Sequence, residues 1–188
     1  MLESMSDSDL MLRVQLGNER AFAALYRRYY RALLDFFFAM SRNTQAAEDL
    51  CHETFLRLWR LRLRYQPIGS FRAYLFTIAR NIWMESLRTT MCDRRLGVFQ
   101  PMEEIERLPG MDRLPDEAAQ NAELMDHITT ALDQLPDEQR MAFVLRTVQG
   151  LSLDEISSVM QCPLNTVRSR RLLAIRRLRE ALRGILVL

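Results

Sequence analysis

Apolar residues recur every three or four positions along almost the whole chain, the spacing that gathers them on one face of an α-helix. No window alternates apolar and polar residues for long, and no Asn-Gly pair marks a hairpin. The pattern therefore predicts an all-α protein. Prolines, glycines and capping residues divide it into two small helical domains joined by a flexible acidic linker.

The first domain is predicted over residues 1–95. Ser6 and Asp9 form a capping pattern that opens one helix, and Gly17-Asn18 separates it from a second. A third helix is capped by Asn43 or Thr44, and a fourth follows the loop "RYQPIGS". The third helix has one apolar face, and its opposite face carries Asp49, His52, Glu53, Leu56, Arg57 and Arg60.

The linker is predicted over residues 96–117, where Pro101, Pro109 and Pro115 make a compact helix improbable. From Gly97 to Met125 there are seven acids but only two arginines. We interpret this segment as an acidic tether.

The second domain is predicted over residues 118–188. Ser152 and Glu155 form a capping box, which predicts a short helix over Leu153–Met160. The residues "QCP" break it, and a longer helix then starts at Leu164 or Asn165. A short helix, a tight turn and a long basic helix are typical of a helix-turn-helix.

Charge is unevenly distributed along this chain. Net charge is only +2 and all 26 basic residues are arginine, but seven of these arginines follow Asn165 with a single acid. A solvated basic face is the simplest explanation of such a run, whereas the helix-turn-helix pattern favours DNA binding. The helix start that can reach base edges carries Thr166, Arg168, Ser169, Arg170 and Arg171.

The sequence argues against an enzyme, a metal site and a bound cofactor. Cys51, Cys92 and Cys162 are odd in number and contain no C-x-x-C pair. Neighbouring helical residues point about 100° apart, so Cys51, His52 and Glu53 cannot converge on one atom. No glycine-rich phosphate loop is present.

The N-terminus is acidic, without a basic leader, and no apolar run approaches about 18 residues. We therefore expect a cytoplasmic protein with no membrane insertion.

Three segments, in order, resemble bacterial sigma factors of the sigma-70 family, especially the extracytoplasmic-function (ECF) group. "AEDLCHETFLRLWRL" and "GSFRAYLFTIARN" are similar to region two, and "LDQLPDEQRMAFVLRTVQGLSLDEISSVMQCPLNTVRSR" is similar to region four. The resemblance implies a factor that binds the beta and beta-prime subunits of core RNA polymerase, directs it to minus-35 and minus-10 promoter elements, and initiates transcription of a specific regulon. The promoters, the inducing signal and the existence of an anti-sigma factor are left open.

By this resemblance, Asp49, His52, Glu53 and Leu56 would dock on core polymerase, with Glu53 as the central acid. Tyr65, Phe71, Tyr74 and Asn81 would handle the minus-10 strand, and the start of the basic helix would read the minus-35 element. The chain departs from the family at several positions. These are His52 in place of a common glutamine, Thr77 and Ile78 in place of the tryptophan pair of primary sigma factors, and Arg171, Leu172 and Leu173 in the basic helix.

An alternative function is a helix-turn-helix transcriptional regulator with an N-terminal sensing domain. Such a regulator would dimerise and bind free DNA, whereas a sigma factor binds promoters chiefly within the polymerase holoenzyme.

Overall fold

The computed structural model describes residues 4–95 and 127–183, and every regular element within these ranges is helical, which confirms the all-α prediction. The predicted linker and the predicted start of the second domain at residue 118 lie outside the described residues. The helices are α1 (Asp7–Gln15), α2 (Glu19–Ser41), α3 (Thr44–Arg60), α4 (Phe71–Arg95), α5 (described over 127–133), α6 (Asp137–Thr147), α7 (Leu153–Met160) and α8 (Leu164–Ala181), with a 3-10 turn at Arg62–Arg64.

Side-chain caps fix the starts of the first three helices. Ser6 Oγ accepts the Asp9 amide at 3.1 Å, and Asn18 Oδ1 accepts the Ala21 amide at 3.0 Å. Asn43, one of the two predicted caps, accepts the Ala46 amide at 2.7 Å. Each such cap contributes about 1 kcal/mol to helix stability.

The helix-turn-helix also forms where the sequence predicts it. The Ser152 hydroxyl accepts the Glu155 amide at 3.2 Å, and the Glu155 carboxylate accepts the Ser152 amide at 2.8 Å, so α7 has a complete capping box. Gln161 ends α7 in the left-handed conformation. Pro163 then occupies the N-cap of α8, which places Asn165 inside the first turn and not at the cap.

The apolar faces of α2, α3 and α4 pack together as the core of the first domain. Thr54 is fully buried, and its hydroxyl donates to the Leu50 carbonyl at 2.8 Å. Cys51 is buried beside it; this burial, helped by the charge of Glu48, raises the pKa of the thiol to about 12. Cys51 therefore remains a protonated core residue at neutral pH.

The two predicted domains pack against each other along one seam. Helix α7 lies on α4, α6 lies on α2, and one continuous cluster of buried apolar side chains runs through both domains. A guanidinium nitrogen of Arg72 donates to the Gln149 carbonyl, and Arg140 Nη1 donates to the Met40 carbonyl at 3.1 Å. A smaller cluster joins α8 to α5 within the second domain.

Candidate functional surfaces

The polar face of α3 points away from the core of the first domain. Asp49 and His52 are exposed, and the apolar side chain of Leu56 is 52% exposed beside them. Glu53 is half-buried, because Arg57 and Arg60 pair with its carboxylate at 3.2 and 3.7 Å. The structure thus brings the four predicted docking residues onto one helix face.

Arg57 ties this face to α4. Its guanidinium donates to Glu53 at 3.2 Å and to the Glu85 carboxylate at 2.8 Å. These hydrogen bonds, chiefly those to Glu85, raise the pKa of Arg57 above its ordinary value. Partly exposed ion pairs add little to stability, so the main effect of the network is to orient the Glu53 carboxylate.

Two of the four predicted minus-10 residues are buried. The Tyr65 and Phe71 rings lie 6.0 Å apart in an edge-on pair, and Tyr29 packs against Phe71 at 5.5 Å. Gln15 Nε2 donates to the Tyr65 carbonyl at 2.7 Å, which holds the loop end to α1. Tyr65 and Phe71 therefore form the base of the loop and do not present a free stacking face.

Tyr74 and Asn81 lie nearer the surface of α4. Tyr74 is half-buried; burial and, to a lesser extent, Tyr65 raise the pKa of its phenol. Asn81 is also half-buried, and its carbonyl oxygen accepts from Arg80 Nη1 at 3.2 Å. The loop before α4 is exposed over residues 66–69, and the most exposed apolar side chain there is Ile68, a residue that the sequence analysis did not single out.

Helix α7 lies over this part of α4. Arg80 Nη1 also reaches the Gln161 carboxamide oxygen at 3.4 Å. Near the start of α4, the Ser70 hydroxyl and the Arg72 guanidinium lie close to the Glu155 carboxylate. Burial raises the pKa of Glu155, but the hydrogen bonds from Ser152 and Ser70 and the charge of Arg72 outweigh this effect and lower the pKa below its usual value. Glu155 thus stays ionised at the seam at neutral pH.

In α8, Val167, Ala174 and Leu178 are buried and face the domain core. The predicted DNA-contacting residues lie partly on the opposite, outer side of the helix and partly beside this buried face. Arg168 and Ser169 are exposed on the outer side, and Thr166 is half-exposed.

Arg170 and Arg171 turn toward the inner side of α8. Arg170 pairs with the Glu138 carboxylate on α6, and its Nη1 lies 3.3 Å from the Cys162 sulfur. Arg171 is half-buried, and its Nε makes no hydrogen bond within the described residues. Only part of the predicted arginine cluster therefore faces solvent.

Residues 4–95 and 127–183 also bear on metal sites and on membrane spans. This part of the chain has no group of three or more His, Cys, Asp or Glu side chains placed to hold a metal ion. It also has no helix that is both long and apolar enough to cross a membrane.

Two family models match the chain on the two sides of the linker. The model of Sigma-70 region 2 matches residues 25–91, and that of Sigma-70 region 4 matches residues 126–178. The RNA polymerase sigma-H factor of Pseudomonas aeruginosa is 34% identical over 187 residues, which cover 97% of this chain and 94% of that protein. The ECF RNA polymerase sigma-E factor of Escherichia coli K12 is 30% identical over 97% of this chain and 95% of its own length.

The chain belongs to the ECF group of the sigma-70 family. It is therefore a transcription initiation factor that binds core RNA polymerase and directs it to promoter DNA, and it is not an enzyme. The family and the two separate region matches favour this function over a regulator with a sensing domain.

The fold agrees with this membership. The sigma factor RpoE from Bartonella quintana, solved in complex with the anti-sigma factor NepR, aligns with a TM-score of 0.71 at 26% identity. The alignment covers 86% of this chain and 96% of that one, so it extends over both domains.

Proposed function

We propose that this ECF sigma factor contacts core polymerase through the outer face of α3, with Glu53 at its centre. The observation that supports this most directly is the side-by-side exposure of Asp49, His52 and Leu56 around an acid that Arg57 holds in place. An apolar side chain ringed by charge is the usual composition of a specific protein interface. Within residues 4–95 and 127–183, the main contacts of the second domain with the first are made by α7 on α4 and by α6 on α2, and not on α3.

Minus-10 recognition is assigned to Tyr74 and Asn81 on α4, together with the exposed loop that precedes the helix. Melted bases need an aromatic face to stack on and an amide that can both donate to and accept from a base edge. Tyr65 and Phe71 support this loop from beneath, because the Tyr65 ring packs on Phe71 and Phe71 packs on Tyr29.

Minus-35 recognition is assigned to the outer side of α8, where Thr166, Arg168 and Ser169 can enter the major groove. Arg170 and Arg171 contribute positive charge beneath this surface. The pairing of Arg170 with Glu138 also orients α8 on α6. In this assignment, residues 1–95 and 118–188 work as two DNA-binding and polymerase-binding units, with residues 96–117 as their tether.

An anti-sigma factor is a further expected partner. The RpoE structure that aligns with both domains of this chain was solved with one bound. We expect the working protein to be cytoplasmic, because core polymerase and promoter DNA are its partners.

The docking assignment is tested by Glu53→Arg. We expect this charge reversal to abolish co-purification with core polymerase, since the substituted side chain repels Arg57 and Arg60 and inverts the centre of the face. Asp35→Arg is the matched control, because Asp35 forms the same kind of i,i+4 pair, with Arg31 at 3.0 Å, on a different helix. Helical circular dichroism should be unchanged in both variants.

Association of Glu53→Arg with core at the wild-type level would contradict the assignment of α3. Equal losses in both variants would show a general effect of added positive charge and would contradict it as well.

A further inference from the structure

One line of exposed residues runs along the outer side of α8. Arg168 and Ser169 lead on to Leu172, which follows them by four and three positions and therefore lies on the same face one turn later. Arg176 continues the line one further turn on and is exposed as well. A leucine thus occupies the middle of a surface whose other members are polar or basic.

Leu172 is a large apolar side chain that is mostly exposed. Its side chain is 62% exposed, and that of the neighbouring Leu173 is 45% exposed. Single exposed leucines are common on protein surfaces. This one, however, lies between arginines on the helix that follows the turn of a helix-turn-helix, where the surface is expected to leave water when DNA binds.

We propose that Leu172 reads the C5 methyl group of a thymine in the minus-35 element. The inference rests on the proposed minus-35 role of α8. The thymine methyl is an apolar group that only this base presents in the major groove, and apolar side chains are its natural partners. Burying both groups favours thymine without a hydrogen bond.

The helix geometry allows Leu172 and Arg168 to act on different bases of the same element. At a rise of 1.5 Å per residue, Leu172 lies about 6 Å beyond Arg168 along the axis, or roughly two base-pair steps if the helix follows the groove. Leu173 is rotated about 100° away, toward the side of Thr166. We therefore assign the methyl contact to Leu172 and use Leu173 as its control.

The experiment uses the full-length chain in holoenzyme with core polymerase. A library randomised in the minus-35 element first yields the preferred sequence. Each thymine of that sequence is then replaced by deoxyuridine, which removes only the methyl group. For the wild type, we expect binding to fall about fourfold at one position, the factor that corresponds to burial of one methylene-sized group.

Leu172→Ala should bind the thymine promoter about as weakly as the wild type binds the deoxyuridine promoter, and should show no further loss on deoxyuridine. Leu173→Ala should keep the full deoxyuridine effect. Both variants keep a strong helix former at an exposed position, so folding should be preserved.

The proposal would be overturned by the absence of a preferred thymine, by the absence of a deoxyuridine effect in the wild type, or by the same effect in Leu172→Ala. Weakened binding of Leu172→Ala to core polymerase alone would instead assign the leucine to a protein contact and would also overturn it. If α8 did not read the minus-35 element at all, the result would be different, because scrambling the element would leave wild-type binding unchanged.

Discussion

Helices α4 and α8, the two assigned to promoter DNA, differ most in what covers them. The outer side of α8 is open, with Arg168, Ser169 and Leu172 all exposed. Helix α4 instead lies beneath α7, and two of its guanidinium groups are engaged across the seam: Arg72 with the Gln149 carbonyl and Arg80 with Gln161. One DNA surface is therefore ready for contact, and the other is partly occupied by the protein itself.

If α4 reads the minus-10 element and α8 the minus-35 element, as proposed above, one molecule in this packed arrangement cannot read both. Elements at minus 35 and minus 10 lie about 25 base pairs apart, or about 85 Å along B-form DNA at 3.4 Å per base pair. A compact chain of this length is only about 40 Å across, from the usual scaling of the radius of gyration. The second domain must leave α4 before both elements can be bound by one molecule.

The seam is built in a way that permits this separation. A cleft of about 340 Å³ interrupts it between α4 and the second domain, with Met84, Leu87, Met141 and Met160 among its lining. Side chains along such a gap lose part of their dispersion contacts, so the seam is weaker than a filled core. The roughly 30 residues that join the described ranges can span at most about 100 Å, which is enough for the promoter distance.

A cross-link that holds the two domains together at the seam should have the largest effect, a complete loss of transcription. Ser70 lies close to Glu155 across the seam, so Ser70→Cys with Glu155→Cys places two thiols within reach of a short, reductively cleavable bismaleimide. With Cys92 and Cys162 replaced by serine, the cross-linked protein should give no run-off transcript with core polymerase. Cleaving the linker with a reductant should restore transcription.

The matched controls are the two single-cysteine variants treated with the same reagent, which should remain active. Full transcription from the cross-linked double variant would show that the domains work without separating. The covering of α4 by α7 would then not limit DNA binding, and α4 and α8 would not differ in the way described.

A smaller effect, confined to the open surface, is expected from Arg168→Ala. If the exposed guanidinium contacts a base edge, the loss should be about 1 to 3 kcal/mol of holoenzyme binding on the specific minus-35 element and much less on a scrambled one. Arg170→Ala is the control within the same helix, because Arg170 is engaged with Glu138 and Cys162.

Filter-binding titrations on both elements, at several salt concentrations, separate the roles of these arginines. Equal losses of Arg168→Ala on specific and scrambled DNA, with a salt slope lower by about 1, would demote Arg168 to a phosphate contact. A larger loss for Arg170→Ala than for Arg168→Ala would reverse the assignment of the open face.

Local signals in the sequence predicted the helices well. The cap at Ser6, the choice of Asn43 or Thr44 as the next cap, the Ser152 capping box and the bounds Leu153–Met160 are all confirmed, because each depends on residues a few positions apart.

Properties that depend on distant residues were not predictable in the same way. Arg170 and Arg171 look equivalent to Arg168 in the sequence, but only the helix rotation and the position of Glu138 show that they turn inward. The burial of Tyr65 depends on α1, about fifty residues earlier in the chain. The packing of α7 on α4 leaves no periodic signal, because both helices already bury a face within their own domain.

Asn81→Ala should have the smallest effect and should act at a different step. Asn81 is half-buried on the covered helix and accepts a hydrogen bond from Arg80, which also reaches Gln161 across the seam. Its amide can therefore meet a base only after the domains separate and the minus-10 strand melts. Alanine removes one hydrogen-bonding group and keeps the helix, so we expect a cost of about 1 kcal/mol, or roughly fivefold, in open-complex formation. Closed-complex binding through α8 should be unaltered, in contrast to Arg168→Ala.

Permanganate footprinting on promoters varied at each minus-10 base measures melting, and filter binding at low temperature measures the closed complex. Unaltered melting and unaltered base preference would make Asn81 a packing residue of α4, whereas a loss already present in the closed complex would mean that α4 is uncovered before DNA melts.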